Sequence, residues 1–171
     1  MRVLIDNFDS FTYNLSAAIG DVTVVRNTVS PAKVRELAPS ALILSPGPGR
    51  PDLERFITEF KGEIPIIGIC LGFQAIVEHF GGVVEPVGPV HGMRDTLISK
   101  HPVFAGQSVA RYHSLGCRTL PDGLELLASC DGIAMAAQST EHKMIGVQFH
   151  PESILTPQGQ DILDYLLECF T

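Results

Sequence analysis

One stretch of the sequence, Ile64–Gln74, constrains the fold more than any other. An apolar, β-branched run leads into Gly-Ile-Cys-Leu-Gly at residues 68–72, and a helical pattern follows. This order predicts a buried strand, a sharp turn that carries the thiol of Cys70, and a helix, which is the layout of a nucleophile elbow with cysteine in place of serine. Gly68 and Gly72 let strand and helix approach closely, because a Cβ at either position would crowd the turn.

The position of Cys70 at the start of a helix has a chemical consequence. Unpaired backbone N–H groups and the helix dipole favour a thiolate over a thiol there. The alternative is that Cys70 is only a small hydrophobic residue buried between strand and helix, as free cysteines usually are. The elbow motif alone does not distinguish a reactive Cys70 from a structural one. The distinction depends on the residues elsewhere in the chain.

The order of the apolar segments predicts an α/β fold over residues 1–171 as one domain. Four predicted strands alternate with four predicted helices. The strands are Val3–Ile5, Val22–Val25, Ala41–Leu44 and the strand of the elbow. The first helix is capped by Asp9 or Ser10 and ended by Gly20, the second begins at Ser30–Pro31, the third covers 52–61, and the fourth is the elbow helix. Such alternation is typical of an open, mostly parallel, flavodoxin-like sheet with helices on both faces.

The second half of the chain has a different pattern. Short strand candidates separated by glycine, proline and aspartate predict antiparallel additions to the sheet or a small second sheet, at residues 83–85, 96–99, 108–113, 124–129, 133–137 and 145–149. A helix beginning near Pro157 closes the chain.

Composition limits the classes of function. The 171 residues are 45% hydrophobic and 18% charged, with a formal net charge of −7. We therefore expect a globular domain without a nucleic-acid partner, since no run of lysine or arginine is present. The apolar runs are too short for a membrane span, no signal peptide precedes the first strand, and the four cysteines lack Cys-x-x-Cys spacing. These features favour a cytoplasmic protein with no membrane partner, disulfide or zinc.

A cysteine nucleophile needs a base, a group that orients the base, and donors for an oxyanion. His150 follows the apolar run 145–149, so it lies at a strand end, where open α/β sheets carry their sites. Glu152 stands two residues on, in a His-Pro-Glu turn from which it can fix the imidazole tautomer. Cys70, His150 and Glu152 thus fulfil the logic of a catalytic triad. The alternative is a loop histidine beside a surface glutamate. His79 and His142 are predicted on the surface, and His113 is predicted to be structural.

A second chemical feature is the Pro-Gly-Pro-Gly segment at residues 46–49. Parallel topology places it at the same sheet edge as Cys70, where its N–H groups and that of Leu71 can form an oxyanion hole. Taken alone, such a segment is more simply a rigid turn. Gln74 lies one helical turn beyond Cys70, where a neutral amide suits a polar substrate, unless it is merely an exposed helical glutamine.

Four motifs together carry a resemblance to a known family. They are Gly-Ile-Cys-Leu-Gly (68–72) with Gln74, Ser-Pro-Gly-Pro-Gly (45–49), Tyr-His-Ser-Leu (112–115) and Gln-Phe-His-Pro-Glu-Ser (148–153). Taken in their order along the chain, these motifs resemble the class I, or triad, glutamine amidotransferase domain, and the similarity covers essentially the whole chain. Within that family, residues 6–15, 110–115 and 152–159 are similar to the amidotransferase subunit of anthranilate synthase. The corresponding subunit of aminodeoxychorismate synthase, in folate synthesis, is the near competitor.

The resemblance implies a mechanism. Cys70 attacks the side-chain amide of glutamine, His150 moves protons and Glu152 holds His150. Backbone N–H groups stabilise the oxyanion, ammonia leaves, and water hydrolyses the glutamyl thioester. The residues implied in binding glutamine are Gly47, Pro48, Gly49 and Leu71 around the oxyanion, and Gln74, Ser114 and Leu115 at the α-amino and α-carboxylate end.

The resemblance also implies a partner. Free ammonia in water becomes ammonium, which is not a nucleophile, and the family solves this by docking on a synthase subunit. A chain of this size has no room for a chorismate site, so we expect a hetero-oligomer with a chorismate-using synthase subunit, component I of anthranilate synthase. No cofactor or metal is expected in this chain, and Mg²⁺ is expected in the partner.

The sequence departs from the family pattern at several places. Phe73 stands where many relatives carry histidine, and Met93 follows His91-Gly92 where relatives often have lysine. The segments around 17–23 and 50–55 look shorter than usual, which predicts a trimmed first helix or loop. These departures concern partner signalling and a possible interface loop, and the triad is intact.

Three other interpretations compete with the family assignment. A receiver or flavodoxin-like binding module shares the βα alternation and the acidic pair Asp6 and Asp9, but a receiver needs an aspartate at the end of its third strand, where Ser45-Pro46 stands here. A degenerate amidotransferase kept as a scaffold is opposed by the intact triad. A stand-alone cysteine hydrolase or peptidase would cleave some other amide without a partner.

Overall fold

The computed structural model describes the backbone of residues 1–171 and the side chains of all residues except 89–93. Strands and helices alternate through the first half of the chain, and strands dominate the second. In chain order the elements are β1 (Arg2–Asp6), α1 (Thr12–Ile19), β2 (Val22–Arg26), α2 (Pro31–Glu36), β3 (Ala41–Leu44), α3 (Glu54–Phe60), β4 (Ile66–Ile69), α4 (Leu71–His79), β5 (Glu85–Thr96), β6 (Ser108–Gly116), β7 (Glu125–Cys130), β8 (Ile133–Ser139), β9 (Met144–Val147) and α5 (Gly159–Glu168).

The central sheet has seven strands in the order β2-β1-β3-β4-β9-β8-β7. The five strands from β2 to β9 are parallel, and β8 and β7 are added antiparallel at one edge. β5 and β6 form a separate antiparallel sheet of two strands. The predicted fold class, an open, mostly parallel sheet with flanking helices and a small antiparallel addition, is confirmed.

Apolar side chains cover both faces of the central strands. Leu4, Ile43 and Ile69 face one layer, which includes the apolar sides of α1 and α5. Val3 and Ile5 face the other layer, which includes residues of α2, α3 and α4. This alternation follows from the two-residue period of a strand, and burial on both faces is what a parallel centre requires. Among the described helices, none is both long and apolar enough to cross a membrane.

The segment from residue 83 to 99 differs from the prediction. The sequence predicts two short strands at 83–85 and 96–99, but the structure has the single long strand β5. Proline and glycine make a strand hard to recognise here, since proline cannot donate to a ladder. β5 tolerates them because it pairs only with β6, and its register shifts between Pro86 and Val90 and again between Val90 and Met93.

Helix starts agree with the sequence at some places and not at others. Ser30 caps α2 as predicted, its Oγ accepting from the N–H of Lys33 at 3.3 Å. α1 begins at Thr12 without a side-chain cap, so the predicted cap is wrong. Asp9 instead accepts from the N–H of Phe11 at 2.8 Å and lies two residues before the N-cap position, which Phe11 occupies. Gly20, with φ of 87°, ends α1 as predicted.

Candidate active site

Cys70 lies on a strained turn between β4 and α4. Its φ of 52° is in the left-handed region, which non-glycine residues rarely adopt and which recurs at functional sites. A Cβ on Gly72 would lie 2.2 Å from the carbonyl oxygen of Leu44, and one on Gly68 would lie 2.5 Å from the carbonyl carbon of Gly72. The predicted need for glycine at both positions is confirmed.

The register between β4 and β9 brings Cys70 beside residues 148–152. The N–H of Cys70 donates to the carbonyl of Val147 at 2.8 Å. Nδ1 of His150 contacts Oε1 of Glu152 at 2.5 Å, and the Cys70 side chain lies close enough to His150 to raise its pKa. The structure therefore brings the three predicted triad side chains together, and His150 is not a loop histidine beside a surface glutamate, since both side chains are buried.

The surroundings of His150 favour its charged form. Burial lowers the pKa of His150, but its hydrogen bonds to Cys70 and Glu152 and the attraction to both outweigh burial and raise the pKa to about 10. An imidazolium next to a cysteine sulfur favours the thiolate. The rings of Phe11 and Tyr112 flank the imidazole, with centroids 5.2 and 5.3 Å from it, and limit its rotation.

A pocket of about 210 Å³ opens beside Cys70. It lies between the loop after β3, the start of α4 and strand β6. All seven residues predicted to bind substrate line it: Gly47, Pro48, Gly49, Leu71, Gln74, Ser114 and Leu115. Leu71 is the first residue of α4, where a backbone N–H has no acceptor within its helix. Gly47 and Gly49 can add N–H groups, whereas Pro48 has none and contributes shape.

Asn7 braces the loop after β3, a role that the sequence reasoning missed. Its Nδ2 donates to the carbonyl of Ser45 at 2.8 Å, and its backbone N–H donates to Oγ of Ser45 at 2.9 Å. A Cβ on Gly47 would lie 2.4 Å from the carbonyl oxygen of Asn7, so the loop packs directly on it. The sequence does contain a signal for this role of Asn7. Asn7 directly follows β1, and the carboxyl ends of neighbouring parallel strands meet at one edge of the sheet.

Gln74 is buried, with 8% of its surface exposed, so it is not an exposed helical glutamine. Its Nε2 donates to the carbonyl of Leu115 at 3.0 Å and to Oε1 of Gln148 at 3.2 Å. Both amide hydrogens are therefore used within the protein, and the Gln74 oxygen is what the amide can offer a ligand. Sequence reasoning assigned nothing to Gln148, although a polar residue that continues the apolar run of β9 is a usable signal.

His113 lies in the pocket wall and has a fixed tautomer. Nε of Arg111 is 3.1 Å from Nε2 of His113, and a guanidinium can only donate. Nδ1 therefore carries the hydrogen and donates to the carbonyl of Leu115 at 3.1 Å. Burial, together with the charge of Arg111, lowers the pKa of His113 to about 4. Arg111 is itself held by Asp95 at 2.7 Å and Asp131 at 3.0 Å. These contacts agree with a structural role for His113.

Two residues outside the pocket are placed differently from expectation. His79 is predicted on the surface, but only 9% of its side chain is exposed, because Nδ1 pairs with Glu54 at 2.7 Å and the ring packs on Phe80. Phe73 is fully buried in a cluster with Val77, so it has no surface for a partner to contact. The departures at His91-Gly92 and Met93 fall on side chains outside those that the structure describes.

The opposite pKa shifts of the two histidines predict a stability maximum near pH 6.5. His150 binds its proton more tightly in the folded chain, so its contribution is full below about pH 6.5 and is lost as the pH rises toward 10. His113 binds its proton more weakly, so its contribution is full above about pH 6.5 and is lost as the pH falls toward 4. We expect the urea concentration at the midpoint of unfolding to decrease as the pH moves away from 6.5 in either direction.

Matched variants separate the two limbs of that profile. His150→Gln should flatten the alkaline limb, and His113→Asn, whose amide retains a donor, should flatten the acid limb. His142→Gln controls for the loss of a histidine away from the pocket. An alkaline limb that stays equally steep in His150→Gln would contradict the assignment.

The chain is similar to known proteins along almost its whole length. The sequence model of class-I glutamine amidotransferases matches residues 3–168. Anthranilate synthase component 2 of Corynebacterium glutamicum is 44% identical over 199 aligned positions, which cover 97% of this chain and 96% of that protein. The alignment is longer than the 171 residues here, so that relative has segments that this chain lacks. The pyocyanine-specific component 2 of Pseudomonas aeruginosa is 42% identical, with 98% and 93% covered.

A solved structure shows the same fold. A protein from Thermoplasma acidophilum, provisionally described as one subunit of a GMP synthase, superposes with a TM-score of 0.84 over 96% of this chain and 90% of that one, at 23% identity. The sequence match over almost the whole chain, together with this likeness of fold, shows that the chain belongs to the class-I glutamine amidotransferase family.

Proposed function

We propose that this chain is the glutamine-hydrolysing subunit of anthranilate synthase and releases ammonia for a chorismate-using partner. The observation that carries the proposal is a pocket lined by Cys70 and by backbone donors, with a buried His150–Glu152 pair acting on Cys70 from beside it. The relatives named above, both component 2 of anthranilate synthases, support the choice of pathway.

The first half of the reaction transfers the glutamyl group to Cys70. The thiolate attacks Cδ of the glutamine amide, and the carbonyl electron pair moves onto oxygen. The backbone N–H groups of Leu71, Gly47 and Gly49 stabilise that oxyanion. Imidazolium of His150 donates its proton to the amide nitrogen, the C–N bond breaks, and ammonia leaves a glutamyl thioester behind.

The second half returns the free enzyme. His150, now neutral, takes a proton from water as that water attacks the thioester carbonyl. The C–S bond breaks, its electron pair returns to Sγ of Cys70, and glutamate is released. Glu152 holds Nδ1–H of His150 throughout, so that the other ring nitrogen faces the reacting atoms.

Gln74, Ser114 and Leu115 would recognise the amino-acid end of glutamine. Because both hydrogens of the Gln74 amide are already donated, its oxygen would accept from the α-ammonium group. Ser114 and the backbone of Leu115 line the pocket from β6 and would hold the α-carboxylate end. An analogue of glutamine that lacks the α-ammonium group should therefore bind poorly.

The chain would act in a hetero-oligomer with component I. Ammonia protonated in bulk water is no longer a nucleophile, so release has to occur next to the acceptor. Tyr13 and Ile154 are 88% and 93% exposed, and they stand in the segments that carry Phe11 and Glu152. We place the docking surface for component I at these two segments. No step above uses a cofactor of this chain, and Mg²⁺ would belong to the partner.

Product identity tests the proposal. The purified chain is mixed with each chorismate-using synthase subunit from the same source, with chorismate, Mg²⁺ and glutamine. Anthranilate made from glutamine supports the proposal. Aminodeoxychorismate alone would move the chain to folate synthesis, and both products would make it a shared subunit. Failure of glutamine with every partner, while ammonia still works, would overturn the partner assignment.

A further inference from the structure

Gln148 is a fully buried amide beside the cysteine sulfur. Burying an amide is costly unless its polar atoms are hydrogen-bonded. Its Nε2 donates to Sγ of Cys70 at 3.4 Å, and its Oε1 accepts from Nε2 of Gln74 at 3.2 Å. The backbone N–H of Gln148 donates to Met135 at 2.9 Å, so both the main chain and the side chain are held.

The orientation of the Gln148 amide is set by the groups behind it. The carbonyl of Leu115 can only accept, so the nitrogen end of Gln74 must face it. The same nitrogen donates to Gln148, so the oxygen end of Gln148 faces Gln74 and its nitrogen end faces Cys70. Nδ1–H of His113 also donates to Leu115, which keeps that carbonyl in place. A reversed Gln148 amide would bring two donors together at Gln74.

We propose that Gln148 is a catalytic residue of this site, whose amide N–H donates to the Cys70 thiolate and stabilises it. The inference rests on the function proposed above, because it assigns Gln148 a part in the same glutamine hydrolysis. The hydrogen bond acts twice in the cycle. It supports the thiolate before attack, and it supports the sulfur again when the thioester C–S bond breaks and the electron pair returns to Sγ.

The test measures alkylation of Cys70 by iodoacetamide as a function of pH, since iodoacetamide reacts with the thiolate. Gln148→Met keeps the length of the side chain and removes the donor. A hydrogen bond to a charged group is worth about tenfold in the thiolate equilibrium, so we expect the alkylation midpoint to move up by about one pH unit. Alkylation near pH 7 should slow about tenfold, and kcat of the glutaminase should fall by a similar factor.

Controls keep the result specific. Gln138→Met changes a glutamine on β8 that bonds to exposed Glu125, and should alter neither quantity. Cys70→Ala defines the background from Cys117, Cys130 and Cys169, whose thiol pKa values are raised mainly by burial. A merely structural role of Gln148 would loosen the site and speed alkylation, the opposite of the expected result.

A second variant covers the case in which Gln148→Met does not fold. Gln148→Glu keeps the shape and the acceptor for Gln74 but places an oxygen beside Sγ, so the alkylation midpoint should rise at least as far. An unchanged midpoint in whichever variant folds would overturn the role of Gln148. Alkylation needs neither glutamine nor a synthase partner, so this outcome is distinct from failure of the proposed function.

Discussion

The Cys70→Ala variant is expected to lose glutamine-dependent product formation by about 10⁴-fold or more, because no other group can form the thioester. Ammonia-dependent synthesis by the partner subunit should stay within about twofold of the wild type, since added ammonia bypasses the pocket. The measurement is product formation by the reconstituted complex, with glutamine and with ammonium salt in parallel.

Cys169→Ala is the matched control for the loss of a thiol. Cys169 follows α5 and bonds to the carbonyl of Leu166, so its removal leaves the pocket unchanged. Both activities should persist in this variant. Glutamine-dependent synthesis that survived in Cys70→Ala would rule out the proposed mechanism.

The Gly72→Ala variant is expected to lose about 3 kcal/mol or more of unfolding free energy, as measured by urea denaturation. The new Cβ would lie 2.2 Å from the carbonyl oxygen of Leu44, which is backbone of a strand paired on both sides and cannot rotate away. Alanine is the better helix former by about 1 kcal/mol, so the clash has to overcome that gain as well.

Gly116→Ala is the comparison for this substitution. Its Cβ would lie 3.1 Å from a methyl group of Ile133, which is the end of a side chain and can shift. We expect this variant to lose no more than about 1 kcal/mol. Equal losses in the two variants would mean that the contact between α4 and β3 is looser than the structure shows.

The central sheet was predictable from sequence because its strands are short apolar runs that alternate with helices. Parallel pairing then needs no further information, since the order βαβ leaves few topologies. β5 was not predictable in this way. Its extended conformation depends on pairing with β6 through two register shifts, and that pairing involves residues about 20 positions away, which local propensity does not encode.

The candidate site was predictable where strand ends carry reactive side chains. Cys70, His150 and the glycine loop all follow strands, and parallel topology places such ends at one edge. Gln148 and Asn7 are also at strand ends, but a neutral amide has no distinctive chemistry until its partners are known. Arg111 was missed for another reason, because its contacts with Asp95 and Asp131 join segments that are distant in sequence.

The two walls of the pocket belong to different sheets. Residues 112–115 are part of β6 in the two-stranded sheet, while Cys70 and the loop after β3 belong to the central sheet. Hydrogen bonds join the two walls: the N–H of His150 donates to Ala110 at 3.2 Å, and Nε2 of Gln74 donates to Leu115 at 3.0 Å. An ion pair joins Arg111 to Asp131. The width of the pocket is therefore set by how the two sheets are held against each other. A protein that moves the β5–β6 hairpin would change access for glutamine, because Ser114 and Leu115 belong to that hairpin.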